Sequence, residues 1–286
     1  MELSVVIVSY NVSSYLKQAL LSVIEAASGI EHEIIVVDNH SSDGSDEMVR
    51  REFKMVNLIV SGSNEGFSAA CNRGIQAAYG DFILILNPDT VVAPDAFTRA
   101  LAFMHSHSDA GAAGARLTDN NGVFLPESKR GFPSPLTSLF KFSGLGRLFP
   151  GSSLFNAYYL GHLPKDKVCR ADILTGAFML IRREALEAAG LFDTDFFLYG
   201  EDIDMSWRIR KAGYHNYYLP DVHVIHHKGK SADTALYRSV RHFYDAMKIF
   251  AVKHLSRGWH LPVKCSVTFL EHAKLASMRF RQLIKK

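Results

Sequence analysis

The sequence predicts an α/β protein, a mostly parallel sheet flanked by helices with a basic helical segment at its C-terminal end. Three observations carry that prediction. Short Val/Ile-rich runs alternate with stretches of helical spacing through the first hundred residues, the pattern of strands covered on both faces by crossover helices. Three of these runs or their successors stop in polar loops, Ser9–Asn11, Asp38–Ser45 and Asn87–Thr90. With 286 residues, 48% hydrophobic and 21% charged, the chain can also bury a sizeable core.

Ser4–Ser9 is the first strand, and Val12–Ala27 then sets Val12, Tyr15, Leu16, Ala19, Leu20, Val23 and Ile24 at helical spacing. Glu33–Val37 is the second strand, ended by a loop dense in turn and cap residues. A helix over roughly Asp46–Phe53, a strand at Asn57–Val60, a loop at Gly62–Gly66 and a helix at Phe67–Ala78 follow. Asp81–Leu86 is a strand that runs into Asn87-Pro88-Asp89-Thr90, where proline forbids further ladder bonding. In sheets of this β-α-β-α-β-α-β order, ligands gather at the carboxyl ends of the strands.

From Gly111 to Cys169 the pattern weakens. Gly131–Pro135 and Ser143–Ser153 are rich in Gly, Pro and Ser, and the stretch reads as a long, partly mobile connection. Ile173–Arg182 reads as a strand, Arg183–Ala189 as a helix, Phe192–Gly200 as an aromatic loop and Asp202–Ala212 as a helix. Tyr214–Leu219 and Val222–Ile225 suggest two further strands. The division expected is a body over 1–234 and a helical, amphipathic extension over 235–286.

Charge separates the same two parts. The net charge is only +3, but residues up to His227 carry 19 basic and 26 acidic side chains, and those beyond carry 13 and 3. A basic tail beside an acidic body suits an anionic surface, lipid headgroups or nucleic acid, or is a solvated helical face. Its stripe of Tyr237, Val240, Phe243, Tyr244, Met247 and Ile249, and farther on Leu270, Leu275, Met278, Phe280 and Leu283 among Lys274, Arg279, Arg281, Lys285 and Lys286, lies in a headgroup layer, packs on the body or forms a dimer contact. The longest apolar runs, such as Phe82–Leu86 and Ala177–Ile181, fall short of the roughly 20 residues that cross a bilayer. The N-terminus lacks the basic start and cleavage site of a secretory signal, so a cytoplasmic location is expected. Cys71, Cys169 and Cys265 have no metal or disulfide spacing and read as incidental thiols.

Four groups carry chemistry. Asp38, Asn39 and Asp43 can accept from a base imide and ribose hydroxyls beside the ring of Tyr10, or can simply cap a helix. Asp89, fixed by a proline turn at a strand end, suits a hard divalent cation on a diphosphate, though such turns are also common without one. Glu201, Asp202 and Asp204 sit at a helix start, where the macrodipole favours carboxylates. After an aromatic loop, a carboxylate there can also take a proton from a hydroxyl nucleophile. His223, His226 and His227 are metal ligands or hydrogen-bonded structural residues, depending on their distance from Asp89.

Together these pieces resemble the inverting GT-A glycosyltransferases of family 2, and within them the bacterial rhamnosyltransferase-like members. The resemblance covers roughly Leu3–Ser231. It rests on Ser4-Val-Val-Ile-Val-Ser-Tyr-Asn11, Val36-Val-Asp-Asn-His-Ser-Ser-Asp-Gly-Ser45, Asn64-Glu-Gly-Phe-Ser-Ala-Ala-Cys-Asn-Arg-Gly-Ile75, Asn87-Pro-Asp-Thr90, Thr175-Gly-Ala177, Gly200-Glu-Asp-Ile-Asp204 and His226-His-Lys-Gly-Lys-Ser231. It implies a GT-A fold, a dTDP- or UDP-linked sugar donor, a glycan or lipid-linked acceptor, no nucleic acid, and peripheral contact of the tail with the inner face of a membrane. It also implies that Tyr10 and Asp38 with Asn39, flanked by Ser9 and Asn11, hold base and ribose. Asn64, Gly66 and Asn72 would line the nucleotide pocket. Asp89 takes the place of the family's metal-binding carboxylate, for Mg²⁺ or Mn²⁺, with His226 or else His227 completing the site, since Asn87 stands where many members have Asp. Asp202 matches the catalytic base, supported by Glu201 and Asp204, and Gly176 would let the backbone approach donor sugar or acceptor. A catalytically silent sugar-nucleotide-binding or scaffold protein of the same fold is the rival reading. A nucleotidyltransferase would want a Gly-rich basic loop after the first strand, unlike Ser9-Tyr10-Asn11-Val12-Ser13.

Overall fold

The computed structural model describes residues 1–227 and 236–284. Nine strands form one sheet in the order β3-β2-β1-β4-β8-β6-β9-β5, with β7 paired to β9. The N-terminal half is β1 (Leu3–Ser9), α1 (Ser13–Ala26), β2 (His32–Asp38), α2 (Ser45–Glu52), β3 (Asn57–Val60), α3 (Phe67–Gln76) and β4 (Phe82–Leu86). Its strands pair in parallel, β3 with β2, β2 with β1 and β1 with β4. Alternation explains their continuous apolar runs. Leu3, Val5 and Ile7 face Leu16 and Leu20 of α1, while Val6 and Val8 face Ala70 and Ile75 of α3.

The second half is mixed. It comprises β5 (Thr90–Val92), α4 (Ala96–Ser106), β6 (Ala110–Thr118), α5 (Pro135–Ser143), α6 (Leu145–Leu148), β7 (Cys169–Arg170), β8 (Phe178–Arg182), α7 (Arg183–Ala189), α8 (Glu201–Lys211) and β9 (His215–His226). β8 runs antiparallel to β4 and β6, and β5 antiparallel to β9, while β6 and β9 are parallel.

Several expectations are corrected here. The strand does end at Leu86 before Pro88, but Thr90–Val92, which begins in the loop expected over Asn87–Thr90, enters the sheet as β5 against β9. The supposed connection from Gly111 begins with the nine-residue strand β6, buried along most of its length. Its Ala/Gly composition follows from packing: a Cβ on Gly111 would lie 2.5 Å from Tyr214 Cβ and 2.7 Å from Ile209 of α8. The rest of that stretch holds α5, started by a Ser134–Thr137 capping box, and α6. The strand expected over Ile173–Arg182 is shorter, and Ile173 instead bridges Arg130. The two strands expected after Tyr214 are one, with a register shift opposite Leu219 and His223 that absorbs Pro220.

The last two helices are α9 (Leu236–His254) and α10 (Arg257–Ile284). Of the readings left open for the tail, packing on the body holds for α9. The fully buried seam is Ala246, Phe250 and Ala251, however, rather than the stripe from Tyr237 to Ile249, and Ala246 and Phe250 close over Phe196. Among the described residues no helix is long and apolar enough to cross a membrane. Lys228–Ser231 of the last motif, the boundary between 234 and 235, and Lys285 and Lys286 lie outside the described residues.

Candidate active site

The carboxyl ends of β1, β2 and β4 meet the segments that carry the remaining candidates. Leu86 pairs with Phe178, and Asn87 N donates to Ala177 O at 3.2 Å, which brings Thr175–Ala177 beside the Asn87-Pro88-Asp89 turn. Thr90 pairs with His226, which brings β9 to the same edge.

On the β1–β2 side, Asn39 N donates to Ser9 O at 2.8 Å, and Asn11, at φ +56°, ties the two loops by accepting from Ser42 N at 2.7 Å. Asp43 accepts from Ser13 N at 2.8 Å and from Ser45, which makes it a cap for α1 and α2. Asp38 is buried. One oxygen accepts from Ser41 N at 2.8 Å and the other, Oδ2, has no hydrogen-bond partner among the described residues. A buried acceptor left without a donor is costly, so this oxygen is poised for a ligand N–H or O–H. Tyr10, which follows Ser9, the strand partner of Asp38, is exposed.

The asparagines hold the pocket's wall together. Asn39 Nδ2 donates to Asn64 Oδ1 at 3.1 Å and to Gly66 O at 3.2 Å, and its Oδ1 accepts from Glu65 N. Asn64 Oδ1 also accepts from Gly66 N. Asn72 exchanges two 2.8 Å bonds with the main chain of Phe192. Gly66 sits at φ +86°, and a Cβ there would meet Phe197 Cδ2 and O at 2.7 Å. Only glycine lets α3 start this close to the aromatic loop.

Asp89 and His226 are both largely buried, with His226 Nε2 3.3 Å from Asp89 Oδ1. His226 Nδ1 is buried without a hydrogen-bond partner among the described residues. His227 turns away and stacks obliquely on Tyr15 at 5.3 Å. His223, one turn of the pleat earlier, is exposed. Among the described residues no group of three or more metal-ligating side chains forms. One carboxylate and one imidazole fit a hard divalent cation that takes its other ligands from a diphosphate and water.

Asp202 opens α8 behind Gly200, a glycine at φ +84°. Its Oδ1 accepts from Ile203 N at 2.8 Å, and its Oδ2 accepts from Arg130 Nη2 at 2.6 Å and lies 3.4 Å from Gly176 N. Arg130 is the residue that sequence reasoning missed. It is buried, bonded also to Leu174 O at 3.0 Å, and burial works against its charge while Asp202 holds its pKa above the ordinary arginine value. A Cβ at Gly176 would touch Asp202 and Phe67 only at an ordinary 3.8 Å, so packing inside the chain does not demand that glycine.

Glu201 is different. Burial, then the charge of Asp202, pushes its carboxyl up to about 8, so it is neutral at pH 7. Because the folded pKa exceeds the ordinary 4.5, the stability linked to this proton is full below about 4.5 and is lost as pH rises through about 8. Glu201→Gln, which fixes the neutral form, is expected to remove that loss, about 1.4 kcal/mol per pH unit in the window. Melting curves of both proteins from pH 5 to 9 check it, and parallel curves would refute it. Cys71, buried on α3, has its thiol pushed well up by burial and then by Glu201, which leaves it inert.

Asp204 faces the other way, into the tail. Burial alone would raise its pKa, but a 2.7 Å contact with His254 Nε2 and a 2.8 Å bond from Arg208 Nε hold it below the usual value. α9 adds a Tyr199–Ser239 hydroxyl bond of 2.8 Å, a stack of His242 on Phe197 and ion pairs from Lys253 to Asp193 and Asp195. The tail therefore clamps the loop and helix that carry Asp202. The i, i+4 spacing of Ala246, Phe250 and His254 is the signal that could have shown this seam.

A model of the glycosyl transferase family 2 matches residues 4–190. The chain is 29% identical over 276 residues to the N-acetylglucosaminyl-diphospho-decaprenol L-rhamnosyltransferase of Mycobacterium tuberculosis, covering 92% of this chain and 88% of that protein. With rhamnosyltransferase WbbL of Escherichia coli it shares 27% over 234 residues, or 78% and 82% of the two chains. Its fold matches the mannosyltransferase PcManGT of Pyrobaculum calidifontis, solved with GDP-Man and Mn²⁺, at a TM-score of 0.61 and 20% identity over 99% of this chain and 80% of that one. It also matches S. aureus TarS 1–349 in complex with UDP-GlcNAc, at 0.58 and 20% over 94% and 72%. At these identities the structural likeness is one of GT-A fold. The family match runs from the first strand through α7 and takes in Asp38, Asp89, Arg130 and Gly176, ending before Asp202 and His226; the chain belongs to glycosyl transferase family 2 and is a glycosyltransferase.

Proposed function

We propose that the protein is an inverting enzyme that moves one sugar from a dTDP- or UDP-linked donor to a hydroxyl of a glycan or lipid-linked acceptor, in bacterial cell-surface polysaccharide or glycolipid assembly. The observation that carries this reading is the carboxylate of Asp202, held by Arg130 at 2.6 Å beside the bare backbone of Gly176. Asp202 takes the proton of the acceptor hydroxyl as that oxygen attacks the anomeric carbon from the face opposite the diphosphate. One displacement inverts the carbon. Asp38 and Tyr10, with Ser9 and Asn11, hold base and ribose; Asn39, Asn64, Gly66 and Asn72 build the wall, and Gly176 leaves room for donor sugar or acceptor. Glu201 and Asp204 support the base. Asp89 and His226 would hold Mg²⁺ or Mn²⁺, which when bound neutralises charge on the departing diphosphate. The relatives support the substrate class, two being rhamnosyltransferases and one of these named for a decaprenol-linked acceptor.

The proposal keeps 1–234 as the catalytic unit and 235–286 as its extension, and sets that extension against the cytoplasmic face of a membrane. α10 supports this. It exposes Trp259, Leu261 and Phe269 by more than half, and its single acidic residue, Glu271, is paired with Lys248. Such a face suits an anionic headgroup layer, and flotation with anionic vesicles at low and high salt reads it.

Thermal stabilisation by nucleotide sugars tests the donor site. A cognate dTDP- or UDP-sugar with Mg²⁺ or Mn²⁺ at a hundredfold over its Kd should add about 2.7 kcal/mol. Asp89→Ala is expected to remove the metal-dependent part. Stabilisation untouched by EDTA and by this substitution would end the metal role, and none by any nucleotide sugar would end the donor assignment.

A further inference from the structure

A cleft of about 300 Å³ opens between α9, α10 and the loop before α8, lined by Tyr199, Ser239, Val240, Phe243, Tyr244 and Lys274. We infer that it is a lipid-phosphate subsite, which takes the phosphate and the first carbons of the hydrocarbon chain of a lipid-linked acceptor. The inference rests on the lipid-linked reading of the acceptor proposed above.

Position is the first argument. Tyr199 lies three residues before Asp202 in the chain and directly precedes the Gly200 turn that starts α8. The cleft therefore borders the turn that leads into the Asp202 helix. Tyr199 also stands at φ +70°, a conformation that a bulky residue keeps only when its surroundings enforce it. Here they do: its hydroxyl bonds Ser239 Oγ at 2.8 Å, and its ring meets Phe243 edge-on at 6.4 Å.

Chemistry is the second. The walls are aromatic and aliphatic, and Phe243 remains 39% exposed on a face where a packed helix would hide it. Lys274 makes no ion pair among the described residues. Glu271, one helical turn earlier, does not neutralise it, because that carboxylate is engaged by Lys248 at 3.0 Å. A lone ammonium on an apolar trough matches an amphiphile with an anionic head. The volume is at the small end of ligand pockets, enough for a head and a short length of chain, while the exposed outer face of α10 is free to meet the rest in a bilayer.

Calorimetric titration of the full chain with farnesyl phosphate, below its aggregation concentration and without vesicles, tests the subsite. Farnesyl phosphate should bind, and Lys274→Glu and Phe243→Ser should each weaken binding about tenfold or more. Inorganic phosphate and short-chain phosphatidylglycerol should bind at least tenfold more weakly than farnesyl phosphate. Stabilisation by the cognate nucleotide sugar should be unchanged in both variants, so loss of the donor response in the parent protein would strike the glycosyltransfer reading instead. No binding of farnesyl phosphate, equal binding by parent and both variants, or equal binding of phosphatidylglycerol would overturn the subsite.

Discussion

Asp202→Asn is expected to fold, to bind donor as the parent does, and to turn over about 10²-fold more slowly or worse, the scale of a lost general base. The amide is isosteric with the carboxylate, and its single oxygen can keep the Arg130 bond that Oδ2 now accepts, at the expense of the local bond from Ile203 N to Oδ1, so α8 should stay folded with at most a small fall in Tm. The large loss is that of proton acceptance. Steady-state kinetics beside nucleotide-sugar thermal shifts separate the two effects. Turnover near that of the parent would remove Asp202 from the proposed mechanism.

Arg130→Met should have the second large effect, of a different kind. The pair it breaks is buried, with the two side chains 11% and 14% exposed, and removing one partner of such a pair typically costs about 3–5 kcal/mol, because the other charge stays in place uncompensated. A clear fall in Tm is therefore expected together with at least tenfold lower turnover at pH 7. Arg130→Lys should sit between parent and Met variant, lacking the second bond to Leu174 O. An Arg130→Met protein with unchanged Tm and turnover would show that the pair does not position the base.

The parallel half of the sheet was legible because burial on both faces writes itself as unbroken Val/Ile runs, as in Val5–Val8 and Ile34–Val37. β6 was not, since Ala110–Ala115 contains only alanine and glycine, and its place depends on Tyr214 and Ile209 pressing on Gly111. Propensity carries no trace of that. Tyr214–Leu219 and Val222–Ile225, expected as two strands, are one bulged strand that runs through Pro220 and Asp221. In the site, Asp38, Asp89 and Asp202 were visible as carboxylates at strand ends or helix starts. Arg130 was not, as its partner lies 72 residues on, nor was His254, 50 residues beyond Asp204. Asn39 was read as holding base and ribose and Asn72 as lining the nucleotide pocket, and their amides prove to be engaged by Gly66 and Phe192. From sequence alone, an asparagine that braces a loop and one that touches a ligand look the same.

The contact between Asp204 and His254 gives the enzyme an order of assembly. Residues leave the ribosome at about 5–20 per second, so Asp204 emerges some seconds ahead of the histidine that holds it. In that interval Phe196 waits for Ala246 and Phe250 with its ring uncovered, and the helix that carries Asp202 is held on its sheet side by Met205, Ile209 and the Arg130 pair but not yet at Asp204. A nascent chain can complete its nucleotide-binding half early, but the half that would deprotonate an acceptor closes only when α9 arrives. Premature termination before Ala246 would thus yield a protein with its sheet strands present, a sticky aromatic surface and a loosely held base helix.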